Sequence, residues 1–233
     1  MTPVHVNGLA PYEVVHRQMA EIVRLRANGE LEDDVLLMLE HEPTITVGRG
    51  RDGEAGLLLP NAPVHRVERG GEATWHGPGQ LVAYPILRLE GPWRDLHRVL
   101  RSLESAVIDT LRDAGLTAGR DARNTGVWLP AADGPPRKVC SIGIAARRWV
   151  TWHGLALNVS PELSGFASIR PCGFEVTSIT RLIDHLDPCP PLQDWRLPLA
   201  THIARITERQ LGAIRLADPG HIVAAVTSPT AGD

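Results

Sequence analysis

The sequence is poor in lysine. Lysine and arginine together number 24 among 233 residues, and a single one of them, Lys138, is a lysine. Arginine supplies solubility and ion pairs, but it does not deprotonate in proteins, so a site that needs a proton-exchanging amine cannot use it. A coding bias toward arginine accounts for the imbalance. Lys138 is therefore either a residue retained by chance or a functional amine, and both interpretations stay open from composition alone.

Several other features are missing, and each excludes a class of protein. No stretch approaches the roughly 20 consecutive apolar residues of a membrane helix. The N-terminus has neither a basic start nor an apolar stretch, so we expect no secretory signal. The net charge of −3 gives no reason to expect nucleic acid as a partner. Cys140, Cys172 and Cys189 form no Cys-x-x-Cys pair, which favours free thiols in a cytoplasmic protein and no bound metal.

Nucleotide-binding and papain-like signatures are also absent. The glycine-rich stretches RGGEAT and HGPGQ lack the spacing of a P-loop or of a dinucleotide-binding loop. The local signature of a papain-like nucleophile is missing, and Cys172 stands late in the chain. We therefore expect no cofactor.

The order of periodic segments favours an α+β fold. Residues 11–28, 93–114, 177–184 and 194–212 have apolar residues at helical spacing or helix-capping residues, whereas the segments between them are typical of strands. The strands come in adjacent runs without a crossover helix after each, which predicts a mixed, largely antiparallel sheet flanked by helices. No linker divides the chain, so we expect a single domain over 1–225 and a polar tail over 226–233.

The tetrapeptide Thr-Trp-His-Gly occurs twice, at 74–77 and 151–154. The flanking residues differ, which argues against a duplication. Each copy is predicted to place a histidine at a strand end with a glycine after it, where backbone can approach another group closely. The simpler alternative is a histidine whose ring is satisfied by a neighbouring carbonyl. We expect both copies to reach one cleft from different parts of the chain.

The three thiols differ in their surroundings. Cys140 alternates with Ile142 and Ile144, which indicates a core position. Cys189 lies in a proline-rich loop, where a bystander role is expected. Cys172 stands between Pro171 and Gly173, on a predicted tight turn that could project a thiol into a cleft. A nearby cation such as Lys138 would favour its thiolate if the fold brings the two together.

Three blocks of the sequence together resemble a known family. RGGEATWHGPGQLVAY (69–84), RKVCSIGIAARRWVTWHGLALNV (137–159) and FASIRPCG (166–173) resemble the successive signatures of the lipoyl(octanoyl) transferases, members of the biotin/lipoate ligase-like superfamily. The resemblance covers about residues 40–180 and implies the catalytic-domain fold of biotin and lipoate ligases. It also implies transfer of an octanoyl or lipoyl group from acyl carrier protein to a lysine of a lipoyl domain, the first step of protein lipoylation. The implied acceptors are the E2 subunits of 2-oxoacid dehydrogenases and the glycine cleavage H protein.

The resemblance also implies roles for individual residues. Cys172 would carry the acyl group as a thioester, and Lys138 would lower the pKa of that thiol and relay protons. The implied substrate-binding residues are Arg69, Gly70, Gly71, Glu72, Ala73, Thr74, Trp75, His76, Ser141, Ile142, Gly143, His153, Gly154, Leu155 and Ala156. Two alternatives remain at this point, an ATP-dependent lipoate-protein ligase and a non-catalytic acyl-binding module.

Overall fold

The computed structural model describes residues 1–50, 57–58, 60–122, 124–169 and 178–228. The strands in this part of the chain are β1 (Thr2–Ala10), β2 (Val35–His41), β3 (Thr44–Val47), β4 (Val64–Arg66), β5 (Ala73–His76), β6 (Gln80–Ile86), β7 (Gly119–Asp121), β8 (Asn124–Leu129), β9 (Arg137–Arg147), β10 (Val150–Asn158) and β11 (Arg215–Ala217). The α-helices are α1 (Tyr12–Asn28), α2 (Leu96–Asp113), α3 (Arg196–Ile206) and α4 (Ile222–Thr227).

The strands form two sheets. The large sheet has 8 described strands in the order β11-β1-β2-β6-β10-β9-β8-β7, and the small sheet has 3 in the order β4-β3-β5. In the large sheet β1 pairs in parallel with β11 and β2, and the remaining neighbours are antiparallel. The predicted mixed, largely antiparallel sheet is thus confirmed.

Helices cover both faces of the large sheet. Helices α2 and α3 pack on one face, and α1 and α4 pack on the other. Helix α2 begins after Asp95, whose carboxylate accepts from the backbone amides of His97 and Arg98, and its apolar stripe includes the fully buried Leu103 and Val107. Each such burial contributes about 1.5–3 kcal/mol relative to exposure.

The small sheet lies apart from these layers and has its own core. Its inward residues include Ile45 and Trp75, which pack against Phe166 and Ile179 from the chain beyond β10. Strands β4 and β5 are not neighbours although they follow each other in sequence, because β3 lies between them. The Gly70-Gly71 turn between them therefore crosses the end of the small sheet instead of closing a hairpin.

Parts of the sequence interpretation were incomplete or wrong. Strands β1 and β11 and helix α4 had no counterpart in it. The helix expected over 177–184 is absent from its described part, 178–184, where Ile179 bridges to Lys138 in extended form and only a 3₁₀ turn, Leu182–Asp184, follows. Helix α3 ends at Ile206, well before the expected 212.

The predicted boundary between the domain (1–225) and the polar tail (226–233) falls within the last described helix. Val226, the first residue of the expected tail, lies within α4 and is buried, and 229–233 lie outside the described residues. Separately, none of the described helices combines the length and apolar character that crossing a membrane requires.

Candidate active site

A cavity of about 160 Å³ lies between the two sheets. One side is formed by the small sheet and the loop 69–72 that precedes β5, and the other by β9 and β10 of the large sheet. The cavity brings together Lys138 and all but one of the predicted substrate-binding residues. Those lining it are Arg69, Gly70, Gly71, Glu72, Ala73, Thr74, His76, Ser141, Ile142, Gly143, His153, Gly154, Leu155 and Ala156. Trp75 instead packs against Phe166 in the core of the small sheet, with ring centroids 5.3 Å apart.

The loop 69–72 reaches the large sheet through close backbone contacts. The amide of Gly70 donates to the carbonyl oxygen of Ile144 at 3.0 Å. A methyl group on Gly143 would lie 2.9 Å from the carbonyl oxygen of Gly70 and 3.1 Å from Cδ of Arg69. Glycine at 143 therefore permits the approach that closes this side of the cavity.

Arg69 is a buried cation at the cavity wall, with 9% of its surface exposed. Its Nη2 donates to the carbonyl and hydroxyl oxygens of Thr46, each at 2.8 Å, and its Nη1 donates to the carbonyl of Gly70 at 3.1 Å. These bonds hold the guanidinium between the small sheet and the loop.

A chain of buried side chains continues from Arg69 across the site. The Thr46 hydroxyl is 3.2 Å from His76 Nε2, and His76 Nδ1 is 2.7 Å from Gln80 Oε1. Gln80 Nε2 donates to Asn158 Oδ1 at 2.9 Å and to the carbonyl of Trp75 at 3.3 Å. Asn158 Nδ2 then donates to the carbonyl of Thr180 at 3.0 Å. We call these five side chains, Arg69, Thr46, His76, Gln80 and Asn158, the polar relay.

The ends of the polar relay fix the direction of every bond in it. Arginine can only donate, and the carbonyls of Trp75 and Thr180 can only accept. The hydroxyl of Thr46 must therefore donate to His76 Nε2, and His76 must carry its proton on Nδ1. Burial, followed by repulsion from His41, lowers the pKa of His76 to about 3, so the ring is neutral near pH 7. With both ring nitrogens engaged, His76 is a positioned wall residue and not a free base.

The two Thr-Trp-His-Gly copies reach the same cavity in different ways. His76 ends β5, as expected, whereas His153 lies within β10. His153 has φ +59, a left-handed conformation that costs a non-glycine residue about 1–3 kcal/mol. Pairing of β10 with β6 runs from Leu155 to Asn158, and Thr151 binds the β6 backbone at Pro85 through its hydroxyl. At this local irregularity the His153 ring packs against that of His16 on α1, with ring centroids 5.8 Å apart.

Lys138 projects from β9 at a second irregularity, where the β8–β9 register shifts. The residue is 3% exposed; its Nζ lies 3.4 Å from Asn124 Oδ1 and 4.9 Å from the ring centre of Trp128. Its backbone carbonyl accepts from the amide of Thr180 at 2.9 Å.

A buried carboxylate supports the strand that faces Lys138. Glu104 on α2 is fully buried and accepts from the amide of Gly126 at 3.1 Å, from Arg101 at 2.7 Å and from Arg120 at 2.8 Å. Gly126 has φ +131, and a methyl group there would overlap the carbonyl oxygen of Cys140. Glu104 thus fixes the start of β8, which carries Asn124.

The thiols are placed unequally. Cys140 lies in the core beside α2, as expected, and burial raises the pKa of its thiol to about 12, which makes it a poor nucleophile. Cys189 is a partly exposed free thiol whose pKa burial also raises. Cys172 falls in 170–177, outside the described residues.

Sequence reasoning missed several residues at the cavity. Tyr12, His41 and Tyr84 form one corner, where the Tyr84 hydroxyl donates to His41 Nε2 at 2.8 Å because His41 Nδ1 donates to the carbonyl of Ala10 at 2.9 Å. Tyr84 and Tyr12 line the cavity directly. Tyr84 is the last residue of the first signature block, so the sequence could have identified it as a cavity residue. Nothing in the sequence linked His41 to Tyr84.

Comparisons with known proteins agree on the family. Residues 12–204 match the model of the lipoyl protein ligase A/B catalytic domain. The octanoyltransferase of Nostoc punctiforme is 42% identical over 203 residues, covering 86% of each chain. That of Gloeobacter violaceus is 47% identical over 167 residues, covering 71% of this chain and 73% of the relative.

Solved structures show the same fold at low identity. A bipartite lipoate protein ligase from Thermoplasma acidophilum superposes with a TM-score of 0.73 at 16% identity, covering 96% of this chain and 90% of the other. A lipoate-protein ligase A bound with ATP gives 0.70 at 15% identity, with 96% and 93% covered. On the strength of its family-model match and its close relatives, the chain belongs to the octanoyltransferases of the lipoyl protein ligase A/B catalytic-domain family.

Proposed function

We propose that this enzyme transfers an octanoyl group from acyl carrier protein to a lysine of a lipoyl domain, through a thioester on Cys172. The observation that carries the proposal is the position of Lys138, the single lysine of the chain, buried at the cavity that the signature blocks line. The names of the relatives support octanoyl transfer in protein lipoylation. The acceptors we propose are E2 subunits of 2-oxoacid dehydrogenases and the glycine cleavage H protein, and the proposed location is the cytoplasm.

The walls of the cavity suit an acyl chain. Leu100, Ile142, Ile144 and Leu155 contribute apolar surface, whereas Arg69 and His76 present polar groups that are already hydrogen-bonded. Each methylene group buried there adds about 0.8 kcal/mol to binding. Such a site would hold the acyl chain by burying its methylene groups and leave the carbonyl end of the acyl group accessible to the reacting residues.

In the first step, the Cys172 thiolate attacks the carbonyl of the donor thioester. A new carbon–sulfur bond forms, the bond to the carrier sulfur breaks, and the carrier thiolate takes up the proton of the Lys138 ammonium, which leaves Lys138 as an amine for the second step. One thioester replaces another, so the step is close to balanced in energy and needs no ATP. The Lys138 ammonium would stabilise the attacking thiolate.

In the second step, the amine of the acceptor lysine attacks the Cys172 thioester. An amide bond forms, the Cys172 thiolate leaves, and Lys138 in its amine form takes the proton from the incoming nitrogen. What supports a link between the two residues is the chain path after Cys172. Ile179 bridges to Lys138, and the amide of Thr180 donates to the Lys138 carbonyl.

A transfer assay without ATP tests the proposal against the ligase and binding-module alternatives. Octanoyl-acyl carrier protein and an unmodified lipoyl domain are mixed with wild type, with Cys172→Ala and with the matched thiol control Cys189→Ala. We expect transfer by wild type and Cys189→Ala and none by Cys172→Ala. Transfer from free octanoate that requires ATP would establish a ligase, and tight acyl binding without turnover would establish a binding module.

A further inference from the structure

Three side chains from distant segments converge beside the cavity. His16 comes from α1, Glu68 immediately precedes Arg69, and His153 lies at the irregularity in β10. Glu68 Oε2 is 3.6 Å from His16 Nε2 and 3.6 Å from His153 Nε2, and all three atoms lie within 4.8 Å of one another. We call them the His-Glu-His cluster.

The three converging atoms lack the partners that buried polar atoms normally have. His16 Nε2, Glu68 Oε2 and His153 Nε2 are all shielded from solvent, and none forms a hydrogen bond with a described residue. The neighbouring buried imidazoles of His41 and His76 differ, because each has both ring nitrogens bonded. Leaving a buried polar group without a partner is unfavourable, so three such groups aimed at one point indicate a shared ligand.

We propose that the His-Glu-His cluster binds one divalent metal ion of the zinc class. Two imidazole nitrogens and one carboxylate oxygen form a donor set that suits zinc, cobalt or nickel, with a fourth position left open. This departs from the expectation of no metal, which rested on the absence of Cys-x-x-Cys pairs. Because the three residues are far apart in sequence, spacing could not reveal the cluster.

The geometry is close to that of a bound ion. Bonds of about 2.0–2.2 Å at tetrahedral angles place ligand atoms about 3.3–3.6 Å apart. The two distances to Glu68 Oε2 already match this, and His16 Nε2 lies within 4.8 Å of His153 Nε2. His153 is the fixed member because its side chain is 3% exposed, whereas His16 and Glu68 are 28% and 38% exposed and can adjust.

Charge sets the character of the site. The carboxylate of Glu68 attracts a cation, whereas the guanidinium of Arg69 acts on His153 with the opposite sign. The ion would therefore be held less tightly than one without a neighbouring cation. When bound, it would join α1, the strand β10 and the residue before Arg69, and so stiffen the loop at the cavity wall.

Titration of the untagged full-length protein with zinc and cobalt tests the proposal. The variants are His16→Asn and Glu68→Gln, whose side chains are partly exposed and whose replacement leaves the core intact. The control is His65→Asn, because the rings of His16 and His65 both pack against Tyr12. His65, like His16, also lies near a carboxylate, that of Glu13 at 3.7 Å. Calorimetry gives the stoichiometry, cobalt absorption gives the ligand type, and thermal unfolding reports folding independently of activity.

We expect one equivalent of zinc to bind wild type and His65→Asn and to raise their unfolding temperature. His16→Asn and Glu68→Gln should lose this binding step while retaining the metal-free unfolding temperature of the control. Visible cobalt absorption bands without a thiolate charge-transfer band should appear only in wild type and His65→Asn. Equal binding by all four proteins, a thiolate signal, or no binding to wild type would overturn the proposal, whether or not octanoyl transfer is confirmed.

Discussion

Replacing Gln80 with methionine should strongly destabilise the enzyme, because Gln80 is the centre of the polar relay. Gln80 is 1% exposed and joins β6 to His76 of the small sheet and to Asn158 of β10. Methionine has nearly the same length and fills the space, so the loss is confined to hydrogen bonds.

The magnitude follows from the groups left unpaired. Without the glutamine amide, the Nδ1 proton of His76, the Oδ1 atom of Asn158 and the carbonyl of Trp75 lose their partners at 2.7, 2.9 and 3.3 Å. Each orphaned buried group costs about 1–3 kcal/mol, which gives a loss of about 3–9 kcal/mol. A small domain has about 5–15 kcal/mol in total, so much of the stability should disappear.

Urea unfolding followed by circular dichroism measures this loss. Gln193→Met serves as the control because Gln193 is exposed, and its free energy of unfolding should change by less than about 0.5 kcal/mol. Adding Asn158→Ala to Gln80→Met should cost less than the sum of the single changes, since both remove the same bond. Strict additivity, or a Gln80→Met loss no larger than the control, would refute the relay.

Three further predictions concern protonation, packing and chemistry. Burial lowers the pKa values of His41 and His76 to about 4 and about 3, so the unfolded chain takes up protons at these two residues first as the pH falls below about 6.5. The two histidines should leave the free energy of unfolding unchanged above that pH and lower it by up to roughly 2.7 kcal/mol per pH unit between about pH 6 and 4. A free energy of unfolding that does not change over this pH range would contradict the prediction. Gly154→Ala should fail to yield folded protein or unfold at much lower temperature in calorimetry, because its methyl group would overlap the carbonyl oxygen of Ala83 in the neighbouring strand. Lys138→Arg keeps a charge but cannot accept a proton, so amide formation should slow by about 10²–10⁴-fold in a single-turnover assay, and a wild-type rate would exclude proton relay.

The order of periodic segments predicted the fold class, and the residues predicted for the cavity were those that the resemblance to a family implied. Helix α1 was predicted correctly, since its apolar stripe and the glycine after it are both local signals. Strand β1 was missed because it contains Pro3, Asn7 and Gly8, which are typical of turns. Its pairing with β2 shifts register between His5 and Leu9, so tertiary contacts override those preferences.

The remaining features depend on contacts between distant residues. The 178–184 segment contains residues compatible with a helix, yet its backbone is held beside β9 by Lys138. The signature blocks identified His76 as a candidate, but not its neutral state or its proton on Nδ1, which follow from Thr46 and Gln80. The roles of Lys138 and Cys172 stay predictions, and Cys172 lies outside the described residues.

Intact mass spectrometry with a chase tests the covalent mechanism most directly. Wild-type enzyme is incubated with octanoyl-acyl carrier protein, freed of the carrier, and then given an unmodified lipoyl domain. Hydroxylamine cleaves a thioester on cysteine but not an amide, and Lys138 is the only lysine side chain of this enzyme that could carry an amide. We predict one hydroxylamine-sensitive octanoyl group, absent in Cys172→Ala, that passes to the lipoyl domain. An adduct that survives in Cys172→Ala, or one that never reaches the domain, would contradict transfer through Cys172.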